Sequence, residues 1–239
     1  MSSAPAIGTE DIPAWLPGLL RAADSSYPTG GYAHSGGLEG LVQAGVVRDA
    51  DTLGRHLHQA ILPALRQVDL PLAAHAWRAL ALPDWSRVGE LCVLSSALRP
   101  ARELRLASER TGRQRAELLA HLHPGSLATA YCAEADRHRW PGSLPVAAAL
   151  EGRLWHAPED AVLVSLGYTS LSAVLAAAMK LLRLGQNAAQ GLLTEALREL
   201  PAIVATARRL PASELGWFNP WLDIASARHE SADHRLFIS

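Results

Sequence analysis

Apolar residues in this chain recur at the spacing of an α-helix along most of its length. Leu53, Leu57, Ile61 and Leu65, for example, follow one another at intervals of four residues and form one stripe of a helix. Ala and Leu dominate the composition and lead the scale of helix propensity, whereas aromatic residues, which favour strands, make up only 5%. No alternating strand pattern or internal repeat interrupts this pattern. The sequence therefore predicts an all-α protein.

Capping residues and prolines divide the helical pattern into about ten segments. In the first half of the chain, the predicted helices are 13–24, a two-turn helix that ends at Gly45, and three helices that begin at Asp51, at Asp69 with Pro71, and at Asp84. In the second half, they are 100–122, 144–155, a long apolar helix after Pro158, 187–199 and 201–209. No linker is long enough to divide the chain. We therefore expect a single-domain helical bundle over residues 1–239, with a C-terminal tail at about 222–239.

Composition and charge exclude several classes of protein. The hydrophobic content of 49% is too high for a disordered chain, and a net charge of −1 gives no electrostatic footprint for nucleic acid or an anionic membrane. The N-terminus lacks the basic and apolar regions of a signal peptide. Cys92 and Cys132 stand far apart without a CxxC spacing, which fits small core residues in a reduced compartment. We expect a cytoplasmic protein that binds neither nucleic acid nor membrane.

Residues 161–179 carry no charge and form a segment of about nineteen residues, near the minimum for a membrane span. Polar residues such as Ser165, Thr169 and Ser172 interrupt it, and a lipid environment would not favour them. A buried core helix or a dimer-interface helix is therefore favoured over a membrane span. Because such a helix is too apolar to face solvent, we predict a homodimer.

The C-terminal tail keeps Leu236, Phe237 and Ile238 almost to its last atom. A terminus with no docking role should be short of apolar groups, because it cannot compensate for the entropy lost on ordering. We therefore expect the tail to dock, either on the body of the protein or on a partner. In the second case its removal would leave the melting temperature near that of the wild type.

The segment 24–39 concentrates four glycines around Tyr32 and His34. Glycine permits positive φ and close backbone approach, so the segment predicts either a tight connection or a displayed loop that recognises a partner. The phosphate-binding pattern G-x-x-x-x-G-K-[ST] is absent. We therefore expect no NTPase activity from this chain alone.

A hydrolytic site can be assembled on paper from Asp24, His34 and either Ser25 or Ser35. Neither serine lies in a G-x-S-x-G turn, and closeness in sequence does not establish the geometry of a catalytic triad. A hydrolase built on His34 is therefore the least favoured interpretation.

The ten histidines do not form a pattern of metal ligands. His56 and His58 stand two apart on a predicted helix and point to nearly opposite faces. His229 and His234, beside Glu230 and Asp233, would bind a metal only weakly in a flexible tail. No closed, high-affinity metal site is predicted.

Two further polar segments can be interpreted either as purely structural or as functional. The helix at 100–122 carries alternating charges, which predicts a solvated face or, as the alternative, a docking face for an acidic partner. Gln186 and Gln190, next to Arg183, stand four apart on one helical face. They either satisfy carbonyl groups at a helix junction or belong to a polar interface.

Three segments resemble, in the same order, those of the urease accessory protein UreF family. Residues 24–39 read DSSYPTGGYAHSGGLE, residues 184–190 read LGQNAAQ, and residues 223–239 read DIASARHESADHRLFIS. Residues 102–108 match a fourth family segment more weakly. Because the matching segments span positions 24–239, the resemblance covers nearly the whole chain.

This resemblance implies a dimeric, α-helical, non-enzymatic scaffold of urease maturation. It implies a partner of the UreD (UreH) type, the GTPase UreG and apo-urease, with nickel contacting the chain transiently and no stably bound cofactor. The residues implied to face UreG are Tyr32, His34, Arg183, Gln186 and Gln190, and those implied to face UreD are Arg228, His229, Glu230, Arg235, Leu236 and Phe237. A metallochaperone that binds nickel directly is the alternative.

Overall fold

Helices account for the regular secondary structure of the part of the chain that the structure describes, residues 12–24, 26–28, 34–230 and 235–238 of a computed structural model. Ten helices occur in these residues: α1 (Leu16–Ala23), α2 (Leu38–Gln43), α3 (50–79), α4 (Trp85–Ala97), α5 (Arg102–Leu122), α6 (Leu127–His138), α7 (Leu144–Leu154), α8 (Glu159–Leu181), α9 (Gln186–Ala207) and α10 (Pro220–Glu230). A 3₁₀ turn at Ala212–Glu214 precedes α10. The all-α prediction is confirmed.

Helix α3 is continuous where the sequence predicted two helices. Two π-helical turns, Leu57–Ile61 and Leu65–Asp69, interrupt its α-helical geometry. Each π turn ends just before a proline, Pro63 or Pro71, which lacks the N–H that an α-helix needs at that position. The extra residue in the turn accommodates the proline, so the predicted break at Pro71 is wrong. The cap of this helix is Asp49, whose side chain accepts the N–H of Thr52, and not Asp51.

Three other features of the fold differ from the prediction. Helix α9 runs through Pro201 without a break, because its apolar face packs against α8 and outweighs the lost hydrogen bond. Helix α6 was not predicted, since small residues such as Ala128 and Ala135 form much of its buried face. Helix α10 was not predicted either, because it lies in the segment interpreted as a tail.

Two hydrophobic cores meet along α3. The larger core joins α2, α3, α8, α9 and α10 around side chains such as Leu163 and Leu200, and it includes Phe237 of the tail. The smaller core joins α3 to α4, α5, α6 and α7 around Leu91, Leu119 and Val146. Because α3 contributes to both, the described helices form one domain.

Helix α8 has a buried face and an exposed face. By length and composition it is the one described helix that could cross a membrane, yet half of its most apolar window is buried inside the protein. Leu163, Leu166 and Leu171 pack in the larger core, whereas Val164 and Tyr168 are exposed. A half-buried core helix satisfies the same composition test, which supports the interpretation as a core or interface helix.

Candidate functional site

The first end of the Gly-rich segment is fastened to the body through a buried carboxylate. The Tyr27 hydroxyl donates to Glu151 Oε1 at 2.9 Å, and Arg115 Nε donates to Glu151 Oε2 at 2.7 Å. Glu151 is 0% exposed, and Arg21 approaches it to 3.5 Å. Burial, followed by the charge of Glu151, raises the pKa of Tyr27 well above its ordinary value, so the hydroxyl stays protonated and donates. The start of the loop is therefore fixed to α5 and α7.

The second end of the segment passes into α2, which packs closely against α10. Gly37 has φ of 83°, a conformation that favours glycine. A Cβ on Gly40 would lie 2.6 Å from the carbonyl oxygen of Ala225. Only glycine therefore permits this approach of the two helices, and the approach brings Glu39 of α2 to α10.

The imidazole of His229 lies between two carboxylates. Its Nε2 is 2.9 Å from Glu39 Oε2, its Nδ1 is 2.9 Å from Glu103 Oε2, and the residue is 1% exposed. An ionised carboxylate accepts hydrogen bonds but cannot donate them. The arrangement is therefore fully satisfied by the doubly protonated imidazolium, which links α2, α5 and α10.

The last described residues of the chain bind to the same two carboxylates. The backbone N–H groups of Leu236 and Phe237 donate to Glu39 at 2.7 and 2.9 Å, and Arg235 donates to Glu103 at 3.2 Å. The ring of Phe237 is 6% exposed in the larger core, with Lys180 Nζ 5.3 Å from its centroid. We call this arrangement the tail clasp: Glu39, Glu103, His229, Arg235 and the N–H groups of residues 236 and 237.

The tail clasp decides between the two expectations for the tail. His229 and Phe237 are buried within the chain, where the carboxylates and the larger core surround them. Their contact with a partner would require the tail to leave the body, and it stays a prediction. Glu230 forms an ion pair with Arg102 on the surface. Leu236 remains 63% exposed, and Arg228 and Arg235 are exposed. The tail docks on its own body and leaves only part of its surface for a partner.

The residues predicted to face UreG lie in two places beside the tail clasp. His34 is half-buried; burial lowers its pKa, Arg110 lowers it further, and Glu103 acts in the opposite direction. Arg183, Gln186 and Gln190 are exposed at the junction of α8 and α9, near the Lys180 contact with Phe237. Tyr32 lies outside the described residues.

The described residues do not assemble a hydrolytic site at His34. The carboxylate of Asp24 accepts the N–H and the hydroxyl hydrogen of Ser26 at 2.7 and 2.5 Å. The hydroxyl of Ser35 accepts the N–H of Glu39 at 3.2 Å. Both groups thus serve local backbone turns, and Ser25 lies outside the described residues.

A cavity of about 430 Å³ lies beside the Gly-rich segment. Its wall includes Tyr27, His34, Asp69 and side chains of α5 and α8. Asp69 pairs with Arg99, and the remaining wall is mainly apolar or hydroxyl-bearing. The described wall offers no nucleophile paired with a base.

Metal-binding side chains are dispersed over the described part of the chain, where no group of three or more His, Cys, Asp or Glu could hold an ion. His56 is buried, whereas His58 is exposed and lies 2.8 Å from Glu199, which confirms that the two face different ways. Burial raises the pKa of Cys92 to about 11, so its thiol stays protonated.

Four residues of this region were given no site role from the sequence, although the first two lie in segments that resemble the UreF family: Glu39, Glu103, Glu151 and Lys180. A signal existed for Glu39, since it is a lone carboxylate among the apolar residues of α2. Such a residue needs a partner when it is buried. The partner itself, far away in the sequence, could not be identified in this way.

The fold and the site define an all-α protein in which two buried ionic clusters act on one body: the Glu151 cluster holds the first end of a Gly-rich segment, and the tail clasp holds its second end and the C-terminal tail. The UreF family model matches residues 47–197. The urease accessory protein UreF of Ectopseudomonas mendocina (strain ymp) is 36% identical over 227 residues, which cover 95% of this chain and 99% of the relative. The chain therefore belongs to the UreF family of urease accessory proteins.

Two further relatives extend the comparison. The urease accessory protein UreF of Klebsiella pneumoniae (strain 342) is 33% identical over 221 residues, covering 92% of this chain and 96% of the relative. The bifunctional urease accessory protein UreEF of Bordetella bronchiseptica is 32% identical over 233 residues, covering 94% of this chain and 52% of the relative. Family membership supports a role in urease maturation.

Proposed function

We propose that this chain is a non-enzymatic scaffold of urease maturation. It bridges a UreD-type (UreH-type) accessory protein and the GTPase UreG, so that nickel is inserted into apo-urease. The single observation that carries the proposal is its family membership over nearly the whole chain. The name of the bifunctional UreEF relative, which joins two accessory functions in one protein, supports a chain that works in contact with other accessory proteins.

The geometry supports a division of the surface between two partners. The UreD-type protein contacts the exposed part of the tail, which comprises Arg228, Glu230, Arg235 and Leu236. UreG contacts the face that includes His34 and Tyr32 of the loop and Arg183, Gln186 and Gln190 at the helix junction. The tail clasp links the loop helix α2 to the tail, so the loop part of the UreG face and the tail are joined by one cluster.

The chemistry of the scaffold is positioning. Without a phosphate loop of its own, the chain neither binds nor hydrolyses GTP alone; it alters the nucleotide cycle of UreG by placing it. Nickel contact is transient, and no cofactor is bound stably. The complex acts in the cytoplasm, as a homodimer joined through the exposed face of α8.

Co-purification from cells that express the urease accessory proteins tests the proposal. The tagged chain should retain the UreD-type protein and UreG together. A charge in the exposed part of the tail, Leu236→Asp, should release the UreD-type protein. Leu82→Asp is the matched control, since Leu82 is 89% exposed on the connection between α3 and α4. If the wild-type chain retains neither partner, or if it binds nickel tightly alone in equilibrium dialysis, the scaffold proposal is wrong.

A further inference from the structure

The cavity beside the Gly-rich segment has the size of a small-molecule site. Its volume is about 430 Å³, and ligand sites in proteins typically occupy about 300–1,000 Å³. Side chains of α1, α3, α5, α7, α8 and α10 contribute to its wall, so a ligand bound there would contact six helices. The scaffold function uses the outer surfaces of the protein and leaves this cavity without a role.

Two residues of the cavity wall carry a buried polar atom without a partner. Trp217 Nε1 and Ser172 Oγ are both buried, and neither has a hydrogen-bond partner within the described part of the chain. Buried polar groups in folded proteins nearly always have one. An indole N–H can only donate, whereas a hydroxyl both donates and accepts. The wall therefore lacks at least one hydrogen-bond acceptor, which a ligand would supply.

The wall near Ser172 on α8 combines hydroxyl groups with apolar side chains. The hydroxyls of Thr169 and Ser170 each donate to the carbonyl oxygen of Leu166 at 2.9 Å, so these two groups retain only their capacity to accept. Leu104 of α5 and Ala173 of α8 add apolar surface to the same wall. Ligand sites in proteins share this composition, a mainly apolar wall with a few polar groups that orient the ligand.

The positive charges of the wall are already compensated. Arg99 pairs with Asp69, and Arg115 pairs with the buried Glu151. Burial lowers the pKa of His34, which favours the neutral imidazole. An anionic ligand would therefore have to displace a carboxylate of the protein from its guanidinium.

The carboxylates of the wall offer little to a cation. Asp69 is held by Arg99, and Asp24 accepts the N–H and the hydroxyl hydrogen of Ser26. Burial raises the pKa of Asp223, which disfavours its ionised form. A cation would also leave the indole N–H without an acceptor. The wall thus favours an uncharged ligand.

We infer that this cavity binds an uncharged organic molecule with an apolar body and one or two carbonyl or hydroxyl oxygens. The N–H of Trp217 and the hydroxyl of Ser172 donate to these oxygens, and the apolar side chains of α5 and α8 enclose the body. Water alone satisfies the site poorly, because each buried water needs two to four polar partners and most of the wall is apolar. The inference does not depend on the proposed function.

Four probes that share a six-membered ring test the chemical class of the ligand. They are cyclohexanone, methylenecyclohexane, cyclohexylammonium and cyclohexanecarboxylate, and their binding to the purified chain is measured by saturation-transfer NMR. Cyclohexanone should bind about tenfold more tightly than methylenecyclohexane, which has the same shape without an acceptor. Both charged probes should bind more weakly than cyclohexanone.

Variants of the two donors test the position of the site. The double variant Trp217→Phe, Ser172→Ala keeps an aromatic ring and a small side chain but removes both donors. It should weaken cyclohexanone binding about tenfold, to the level of methylenecyclohexane, and leave methylenecyclohexane nearly unaffected. Trp221→Phe is the matched control, since Trp221 is 74% exposed on α10, and it should bind the probes like the wild type.

Each contrary result overturns the inference in a different way. If no probe binds the wild-type chain, the cavity holds only water. If methylenecyclohexane binds as tightly as cyclohexanone, the site is apolar and the two donors play no part. If a charged probe binds most tightly, the chemical class is wrong. If the double variant binds cyclohexanone as the wild type does, the ligand lies elsewhere on the protein.

Discussion

His229 Nε2 lies 2.9 Å from Glu39 Oε2, although 190 residues separate the two in the chain. The contact joins the helix that follows the Gly-rich segment to α10, the last helix among the described residues. Net stabilisation by a buried ion pair is small, because both charges lose their water. Loss of one partner is costly, since it leaves the other charge buried without compensation.

Replacement of His229 should therefore destabilise the fold strongly. His229→Ala leaves Glu39 and Glu103 as like charges in one buried site, and we expect a loss of about 3–5 kcal/mol in the free energy of unfolding. The exposed pair of His58 with Glu199 serves as the control, and His58→Ala should cost less than about 1 kcal/mol. Urea denaturation of both variants checks this; equal losses would show that the clasp is not an ionic anchor.

Within the tail, Phe237 should contribute to the stability of the fold, whereas its neighbour Leu236 should not. Phe237→Ala removes a buried ring from the larger core and should cost about 3–5 kcal/mol. Leu236→Ala alters a mostly exposed side chain and should stay within about 0.5 kcal/mol. Thermal melts of the two variants give the comparison.

Removal of residues 228–239 should likewise lower the melting temperature, because it removes the tail clasp. The expectation of a separable partner-docking tail was the opposite. An unchanged melting temperature would contradict the clasp.

His56 should make the fold sensitive to acid. Burial lowers its pKa from 6.5 to about 4 in the folded state. Between pH 6.5 and 4, His56 binds a proton in the unfolded chain but stays neutral in the folded chain. The free energy of unfolding therefore decreases as the pH falls. The full loss between pH 6.5 and 4 is about 3 kcal/mol for this group.

The neighbouring histidine supplies the control for this pH dependence. His56→Leu should make unfolding less dependent on pH between about 6.5 and 4, whereas exposed His58→Leu should not. Stability curves from urea titrations at several pH values give the measurement. If the free energy of unfolding of His56→Leu depends on pH as strongly as that of the wild type, the acid sensitivity belongs to other groups.

Self-association should depend on the exposed face of α8. Val164→Glu places a charge on that face and should turn a dimer into a monomer at concentrations of tens of micromolar. Val93→Glu is matched, because Val93 is a similarly exposed valine in the middle of α4. Sedimentation of the three proteins distinguishes the cases. A wild-type chain that sediments as a monomer, or a Val93 variant that dissociates equally, would remove the dimer proposal.

Local patterns predicted most of the helices but not their continuity. Asp84 caps α4 as expected, because a cap needs only a side-chain oxygen and an N–H two or three residues on, and Ser143 caps α7 in the same way. Pro71 and Pro201 were interpreted as breaks, yet burial of the flanking apolar faces keeps both helices intact. Tertiary packing, which local spacing does not report, decided these two positions.

The site was predictable only in part, because local sequence patterns do not report contacts between remote segments. The apolar end of the chain indicated that the tail docks, and this was correct for Phe237. Its target was not predictable, because Glu39 and Glu103 come from remote parts of the sequence and only the fold places them together. The likeness to the UreF family located the segments of interest, whereas the burial of His229 within the chain could not be read from the sequence.

The nickel content of urease, purified from cells with and without this chain, tests the central claim most directly. With all other maturation proteins present, loss of this chain should leave normal amounts of urease protein that lacks nickel and activity. The Val93→Glu variant should restore nickel, while the Leu236→Asp variant should not. Nickel-loaded, active urease in cells that lack the chain would contradict the account.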